Sequence, residues 1–317
     1  AIIEDIYNLL SNINIVRGEF VHSTHYYELL LSMTRSLQKK LLAQGNLAIL
    51  YSRSGKFSKA RDYYNETLKL FRFFSSPVFE VVVKMTEYTL SYETGDYTLA
   101  MAIAAEINKL SLKLKNSQYI YLSFRFLGEC SYYLGNFESA VKYHELAKKY
   151  INSSSENDIM LNLLLTSICK VNTAPPEESE KEVIKAYDCL TTVDSNYDRS
   201  IAGFYLAKYY QMTGNPETSN QYLEIVFNLS KEKGYFSFLL REYINSEVIF
   251  STAGNKYKDS FREFLASASE IAELNWISDN YKAFLLKFIE SKYDLKMLAF
   301  GGLKFFLKGE EIPEKKW

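Results

Sequence analysis

Only three imidazoles, His22, His25 and His144, are available to act as bases or metal ligands in 317 residues. His22 and His25 stand three apart, so on a helix both could face one way, with Glu19 or Glu28 as a third ligand. The ordinary reading places the pair on a helix surface or between helices, and that is the expectation here. His144 takes a place where a bulky core residue is expected, so packing accounts for it. Cys130, Cys169 and Cys189 are far apart with no CxxC spacing, which reads as buried reduced thiols rather than a disulfide framework. No GxxxxGK[ST], GxGxxG or HExxH motif occurs. Glu177-Glu178 and Glu310-Glu311 fall at expected helix starts or turns, where the helix dipole explains acidic residues. Lys39-Lys40 and Lys148-Lys149 are short runs that read as solvated helix faces. The expectation is a protein that binds and does no chemistry: no catalytic residue, no metal, no cofactor.

Composition narrows the partners. The net charge is −1, so nothing draws the whole surface to phosphate backbones or anionic lipid. Tyr (26) and Phe (21) are abundant while Gly (13) and Pro (5) are scarce, which suits long helices packed through bulky side chains. No apolar run approaches the roughly 18 residues of a membrane helix. The opening Ala1-Ile2-Ile3-Glu4-Asp5 has neither signal-peptide regions nor an initiator Met. A cytoplasmic chain cut from something longer is expected.

The elements that would position a site announce themselves by repetition. Glycine followed two residues later by an aromatic occurs at Gly18-Glu19-Phe20, Gly55-Lys56-Phe57, Gly95-Asp96-Tyr97 and Gly135-Asn136-Phe137. Weaker versions follow at Gly214-Asn215-Pro216 and Gly254-Asn255-Lys256-Tyr257. Successive glycines stand about forty residues apart, a spacing typical of helical repeats. The longer interval from Gly135 to Gly214 is two periods, with Ala174-Pro175-Pro176 where a glycine is missing. Five residues after each glycine comes a small residue: Ser23, Ala60, Ala100, Ala140 and Ser219, with Ser260 one step out of register. Three or four residues before it comes an aromatic: Tyr51, Tyr92, Tyr132, Tyr210 and Phe250. The glycine ends one helix in a left-handed conformation, and the small residue lets the next helix pack close to the first. Ser75-Ser76-Pro77, Lys115-Asn116-Ser117 and Asn152-Ser153-Ser154-Ser155 supply connectors and caps.

The pattern over residues 41–72 and 121–150 resembles the tetratricopeptide (TPR) motif, best at Gly128, Gly135, Phe137, Ala140 and Ala147. The unit of about forty residues is longer than the usual one of roughly 34. Longer helices of this kind resemble the regulatory arrays of MalT-like and SARP-type bacterial transcriptional regulators. The resemblance implies an all-α, right-handed superhelical solenoid of antiparallel helix pairs over residues 1–292, about seven pairs, with a short C-terminal β-hairpin. Carried over position by position, it turns Arg53, Tyr92, Glu93, Arg125, Glu129, Tyr132, Tyr133, Lys208, Gln211 and Arg241 toward the concave groove. Aromatic faces beside fixed charges could stack a ring or clamp a peptide backbone and carboxylate. Arg125 and Glu129, four apart, could also simply pair with each other, and Tyr92 and Tyr132 could pack against neighbouring repeats.

Residues 293–317 break the pattern. Leu295–Phe300, Leu303–Leu307 and Glu311-Ile312-Pro313, separated by glycines, read as strands joined by tight turns. One reading is a capping hairpin over the last repeat. The other comes from Phe300, Gly301, Leu303, Phe305, Gly309, Ile312, Pro313 and Trp317, which are similar to the opening strands of OmpR- or SARP-type winged-helix domains. That resemblance implies a recognition helix beyond Trp317, and so no direct nucleic-acid binding by these residues. It also implies flanking ATPase and DNA-binding modules, although MalT-like regulators end in a LuxR-type domain instead. An exposed sheet edge at 295–312 could pair with a second copy. The expected function is regulatory: a protein, peptide or small-molecule effector in the groove shifts the superhelix. The alternative is a general TPR adaptor or a peptide sensor.

Overall fold

Each repeat glycine among the described residues closes a helix with the same two backbone bonds. Lys56 N–H donates to Tyr51 O at 2.9 Å and Gly55 N–H to Ser52 O at 3.0 Å, and the pair recurs at Gly95, Gly135 and Gly214. This turn needs a positive φ, which Gly55 adopts at 74°. The computed structural model describes residues 2–74, 76–170, 176–246 and 275–292 and the strand residues 295–298, 304–307 and 310–312. Ala174, Pro175 and the Gly254 repeat, with Phe250 and Ser260, lie outside the described residues.

Within these limits the chain forms helix pairs α1 (Ile2–Arg17) with α2 (Phe20–Met33), α3 (Leu37–Arg53) with α4 (Phe57–Phe71), and α5 (Pro77–Glu93) with α6 (Tyr97–Leu114). The next pairs are α7 (Ser117–Tyr133) with α8 (Phe137–Lys148), α9 (Glu156–Lys170) with α10 (Pro176–Thr192), and α11 (Asn196–Met212) with α12 (Pro216–Lys233). Helices α13 (Phe236–Asn245) and α14 (Asp279–Lys292) follow. The result is a TPR-like solenoid, and no helix among the described residues is long and apolar enough to cross a membrane.

The small residues do what their spacing suggests. Ser23, Ala60, Ala100, Ala140 and Ser219 are fully buried. The Ser23 hydroxyl donates to Ser11 O at 3.0 Å and Ser219 to Ala207 O at 2.8 Å, twelve residues back on the first helix of each pair. Ala60 and Ala140 stand at the same spacing from Ala48 and Gly128, without the hydroxyl. Among the connectors, Asn116 accepts from Tyr119 N–H at 3.1 Å, whereas Ser76 makes no cap bond and Pro77 starts α5 instead.

The chain then returns on itself. Ser237 donates to Ser52 O at 2.6 Å, the Ser278 N–H to Thr94 O at 2.8 Å, and the Tyr235 hydroxyl to Gly18 O at 3.0 Å. Trp276 Nε1 donates to Ser58 Oγ at 2.8 Å, and the Tyr97 and Tyr281 hydroxyls share a hydrogen bond. Residues from the later repeats sit where a Cβ would project from the earlier glycines: the Tyr235 hydroxyl and the Tyr197 backbone at Gly18, the Phe236 ring at Gly55, the Tyr281 ring at Gly95. Burying a ring such as Phe236 contributes roughly 1.5–3 kcal/mol. Gly135 and Gly214 have nothing within 4 Å of that position.

At the C-terminal end β1 (Leu295–Leu298), β2 (Lys304–Leu307) and β3 (Glu310–Ile312) form an antiparallel sheet in the order β1-β2-β3. Leu295 pairs with Leu307 and Phe305 with Ile312. The backbone thus adds a third strand to the expected hairpin. Of the residues that suggested a winged helix, Phe305 and Ile312 are in strands; Phe300, Gly301, Leu303, Gly309, Pro313 and Trp317 lie outside the described residues.

The two kinds of glycine separate in a stability test. Gly135→Ala should cost only the left-handed backbone term, about 1–2 kcal/mol. Gly55→Ala should cost more, by a further roughly 1–3 kcal/mol, because the new methyl meets the Phe236 ring. Urea unfolding of both variants measures the difference, and equal losses would contradict the closure contact.

Candidate ligand-binding cavity

The first helix of every pair faces inward, and together they line a cavity of about 280 Å³. Its wall is built from α1, α3, α5, α7, α9, α11 and α13, with His144 as the contribution of a second helix. Eight of the residues expected in the groove line it: Arg53, Tyr92, Glu93, Arg125, Glu129, Tyr132, Tyr133 and Arg241. Lys208 and Gln211 do not. They follow Tyr197, Ile201 and Tyr205 on α11, but lie past the stretch of that helix that reaches the cavity. The Lys208 ammonium sits 5.8 Å from the Tyr205 ring centre, and burial lowers its pKa.

One end of the cavity is closed by a buried ion network. Arg241, on α13, donates from Nη1 to Glu93 Oε2 at 2.9 Å and from Nε to the Tyr133 hydroxyl at 3.1 Å. Its guanidinium lies 4.9 Å from the Tyr92 ring centre and 5.5 Å from that of Tyr133. Arg53 Nε approaches Glu93 at 3.8 Å. Glu242 accepts from Tyr133 and, at 3.2 Å, from Tyr205. Arg241 and Glu93 are each 3% exposed, so the charges have exchanged water for one another and for phenol donors. Burial pushes the phenols of Tyr92, Tyr133 and Tyr205 well above the ordinary tyrosine value, which keeps them as hydroxyl donors.

The other end is built around Arg125. Its Nε is 3.5 Å from Glu129 Oε1, one helical turn away, while Tyr88 donates to Glu129 Oε2 at 3.0 Å. The guanidinium lies 5.3 Å from the Phe126 ring centre. The expected Arg125–Glu129 pair is therefore real, and it still lines the cavity. Among the described residues His144 Nδ1 and Asn157 Oδ1 have no hydrogen-bond partner, and Arg125 Nε and Arg53 Nε have only their longer ion contacts to Glu129 and Glu93. His144 is buried with its ring against Gly128, where any Cβ would collide with it. Burial, helped by the charge of Arg125, lowers its pKa to about 3, so the imidazole is neutral at pH 7. Cys169 also lines the cavity, and burial raises its thiol to about 12. A neutral imidazole, a protonated thiol, guanidinium donors and ring faces form a surface suited to holding a ligand.

Asn157, Asp158, Tyr197, Asp198 and Tyr205 also line the cavity and were not picked out from the sequence. The register there had no glycine to carry it, since the α9–α10 turn lacks one. The i, i+4 stripe Tyr197, Ile201, Tyr205 was the available signal. On the outer surface His22 lies 3.6 Å from Glu19, His25 packs beside Tyr26, and Glu28 accepts from Tyr51 at 2.6 Å. No cluster of three metal-ligating side chains occurs among the described residues.

No protein-family model and no curated protein matches this chain. Solved structures do match its shape. A Rap protein complexed with Competence and Sporulation Factor superposes with a TM-score of 0.67 at 11% identity, covering 84% of this chain and 76% of its own. The Rap conjugation gene regulator of the plasmid pLS20, in complex with the Phr* peptide, gives 0.63 at 13%, covering 82% and 70%. The apo form of RapI gives 0.57 at 14%, covering 84% and 97%. At such identities the likeness concerns the fold.

Two measurements probe the cavity wall. His144 binds a proton in the unfolded chain near pH 6.5 but in the folded one only near pH 3. Its contribution is therefore lost as pH falls below 6.5, by about 1.4 kcal/mol per unit. Between pH 7 and pH 5, His144→Gln should gain roughly 2 kcal/mol relative to the parent in urea unfolding. Arg241→Met alone strands Glu93 and should cost about 3–5 kcal/mol, whereas Arg241→Met with Glu93→Gln should cost less than the sum of the single changes.

Proposed function

We propose that this chain is a peptide-sensing TPR-like module whose effector enters the interior cavity. The observation that carries the reading is the cavity itself: it is walled by first helices from both turns of the superhelix and closed by Arg241. A ligand held there touches α3, α5 and α7 on one turn and α11 and α13 on the other. Its binding energy therefore depends on how closely the two turns pack, and differential affinity for two packings is what a relay requires. The cavity stands at the small end of ligand-site volumes, which begin at roughly 300 Å³. A peptide of several residues would fit only as α13 moves outward, which couples occupancy to curvature.

The likeness to Rap structures that hold a peptide supports this alternative over a MalT- or SARP-type regulatory array. It equally supports a peptide over a sugar or nucleotide. The phenol-rich wall and backbone-matching polar atoms suit an extended peptide, with rings for its side chains and hydrogen-bonding groups for its amides.

Thermal unfolding against pools of short peptides, sugars and nucleotides tests the proposal. At a hundredfold excess over Kd a peptide should stabilise the chain by about 2.7 kcal/mol and raise the midpoint by several degrees. A shift with sugars or nucleotides and none with peptides would overturn it. A binding partner that is a folded protein would restore the adaptor reading.

A further inference from the structure

The charges lining the cavity do not balance. Arg53, Arg125 and Arg241 face Glu93, Glu129, Asp158 and Asp198. Glu93 is met by Arg241 and Arg53, and Glu129 by Arg125. Asp158 and Asp198 have no ion-pair partner among the described residues. Each sits in the first turn of its helix, α9 or α11, and takes a serine hydroxyl on Oδ2: Ser155 at 2.7 Å and Ser195 at 2.9 Å. Such a cap and the helix N-terminus supply partial positive charge, not a full cation.

These two carboxylates belong to one corner of the cavity. Asn157 precedes Asp158 and hydrogen-bonds to Asp198, and its own Oδ1 lacks a partner. Arg125 acts electrostatically on both carboxylates and on His144. His144 is 1% exposed, and its Nδ1 lacks a partner. Burial raises the pKa of Asp198 although the charges of Arg125 and Arg53 act against it. The wall beside Asp198 carries the Tyr197 and Tyr205 rings, near which Arg53 and Lys208 already lie at 5.1 Å and 5.8 Å from the ring centres. The corner therefore holds two carboxylates outside any ion pair among the described residues, beside the unpartnered Asn157 Oδ1 and His144 Nδ1.

We infer that this corner, formed by Asn157, Asp158 and Asp198, binds an ammonium group of the ligand. The inference rests on the cavity being the effector site and names the group that anchors there. An ammonium offers three donors and one positive charge, which matches two carboxylate oxygens and an amide oxygen. Free peptides carry such a group at the N-terminus, and lysine carries one on its side chain.

The test equilibrates the chain with three randomised, C-terminally amidated tripeptide pools and quantifies what is retained after gel filtration by mass spectrometry. One pool has free N-termini and lacks Lys, Arg and His; the second is the same pool N-acetylated; the third is N-acetylated with one Lys. Retention of the free or the lysine pool at least tenfold above the neutral acetylated pool is expected, and which of them is retained identifies the source of the ammonium. Asp198→Asn, which keeps an acceptor for Ser195, should bring the ratio to near one, and Asp158→Asn provides the same comparison should the first variant unfold. Equal retention of all three pools by the parent would overturn the ammonium site while leaving the peptide reading intact. Retention of none of the pools would overturn both.

Discussion

Everything in this molecule depends on the second turn of the solenoid packing against the first. A stack of helix pairs is ordinarily a one-dimensional object in which each unit touches only its neighbours. Here residues far apart in the chain meet at Ser237 and Ser52, Ser278 and Thr94, and Phe236 and Gly55. The contacts fall on successive inter-helix turns, so the same repeat period runs along both sides of the join. Closure turns an open groove into an interior, and an interior has rules that a groove does not. Its charges must be paired, and its polar atoms must find partners or await one.

Arg241 is where the closure and the interior meet. It comes from α13, on the returning turn, and its guanidinium is held by Glu93 on α5 and the Tyr133 hydroxyl on α7. Moving the turns apart would separate a buried ion pair and expose the faces of Tyr92 and Tyr133. The cavity beside it is polar at both ends and aromatic along the sides. An aqueous groove would tolerate the unpartnered His144 Nδ1 and Asn157 Oδ1, because water would satisfy them.

Glycine spacing, the small residue five positions on and the aromatic before it were enough to read helix pairs, their turns and their inward faces. Local geometry explains that success. A left-handed turn selects glycine wherever it occurs, and two helices approach closely only over Ser or Ala. Eight of the ten residues expected in the groove line the cavity, because the face of a helix follows from its period of about 3.6. Lys208 and Gln211 lie outside the cavity lining because periodicity gives direction around a helix and says nothing of where along it the cavity ends.

The amino-acid sequence by itself determined the repeat, the helix boundaries near each glycine and which stripe of each first helix faces inward. Those depend on interactions over one turn or one helix pair. Tertiary structure alone decided that Gly18, Gly55 and Gly95 are also packed against residues of the later repeats while Gly135 and Gly214 are not. It likewise decided that Arg241 pairs with Glu93, 148 residues away, and that Asp158 and Asp198 form no ion pair among the described residues. The physical reason is that closure depends on the summed small rotations between successive helix pairs. No single repeat encodes that sum, and only where it brings the two turns together do distant charges become neighbours.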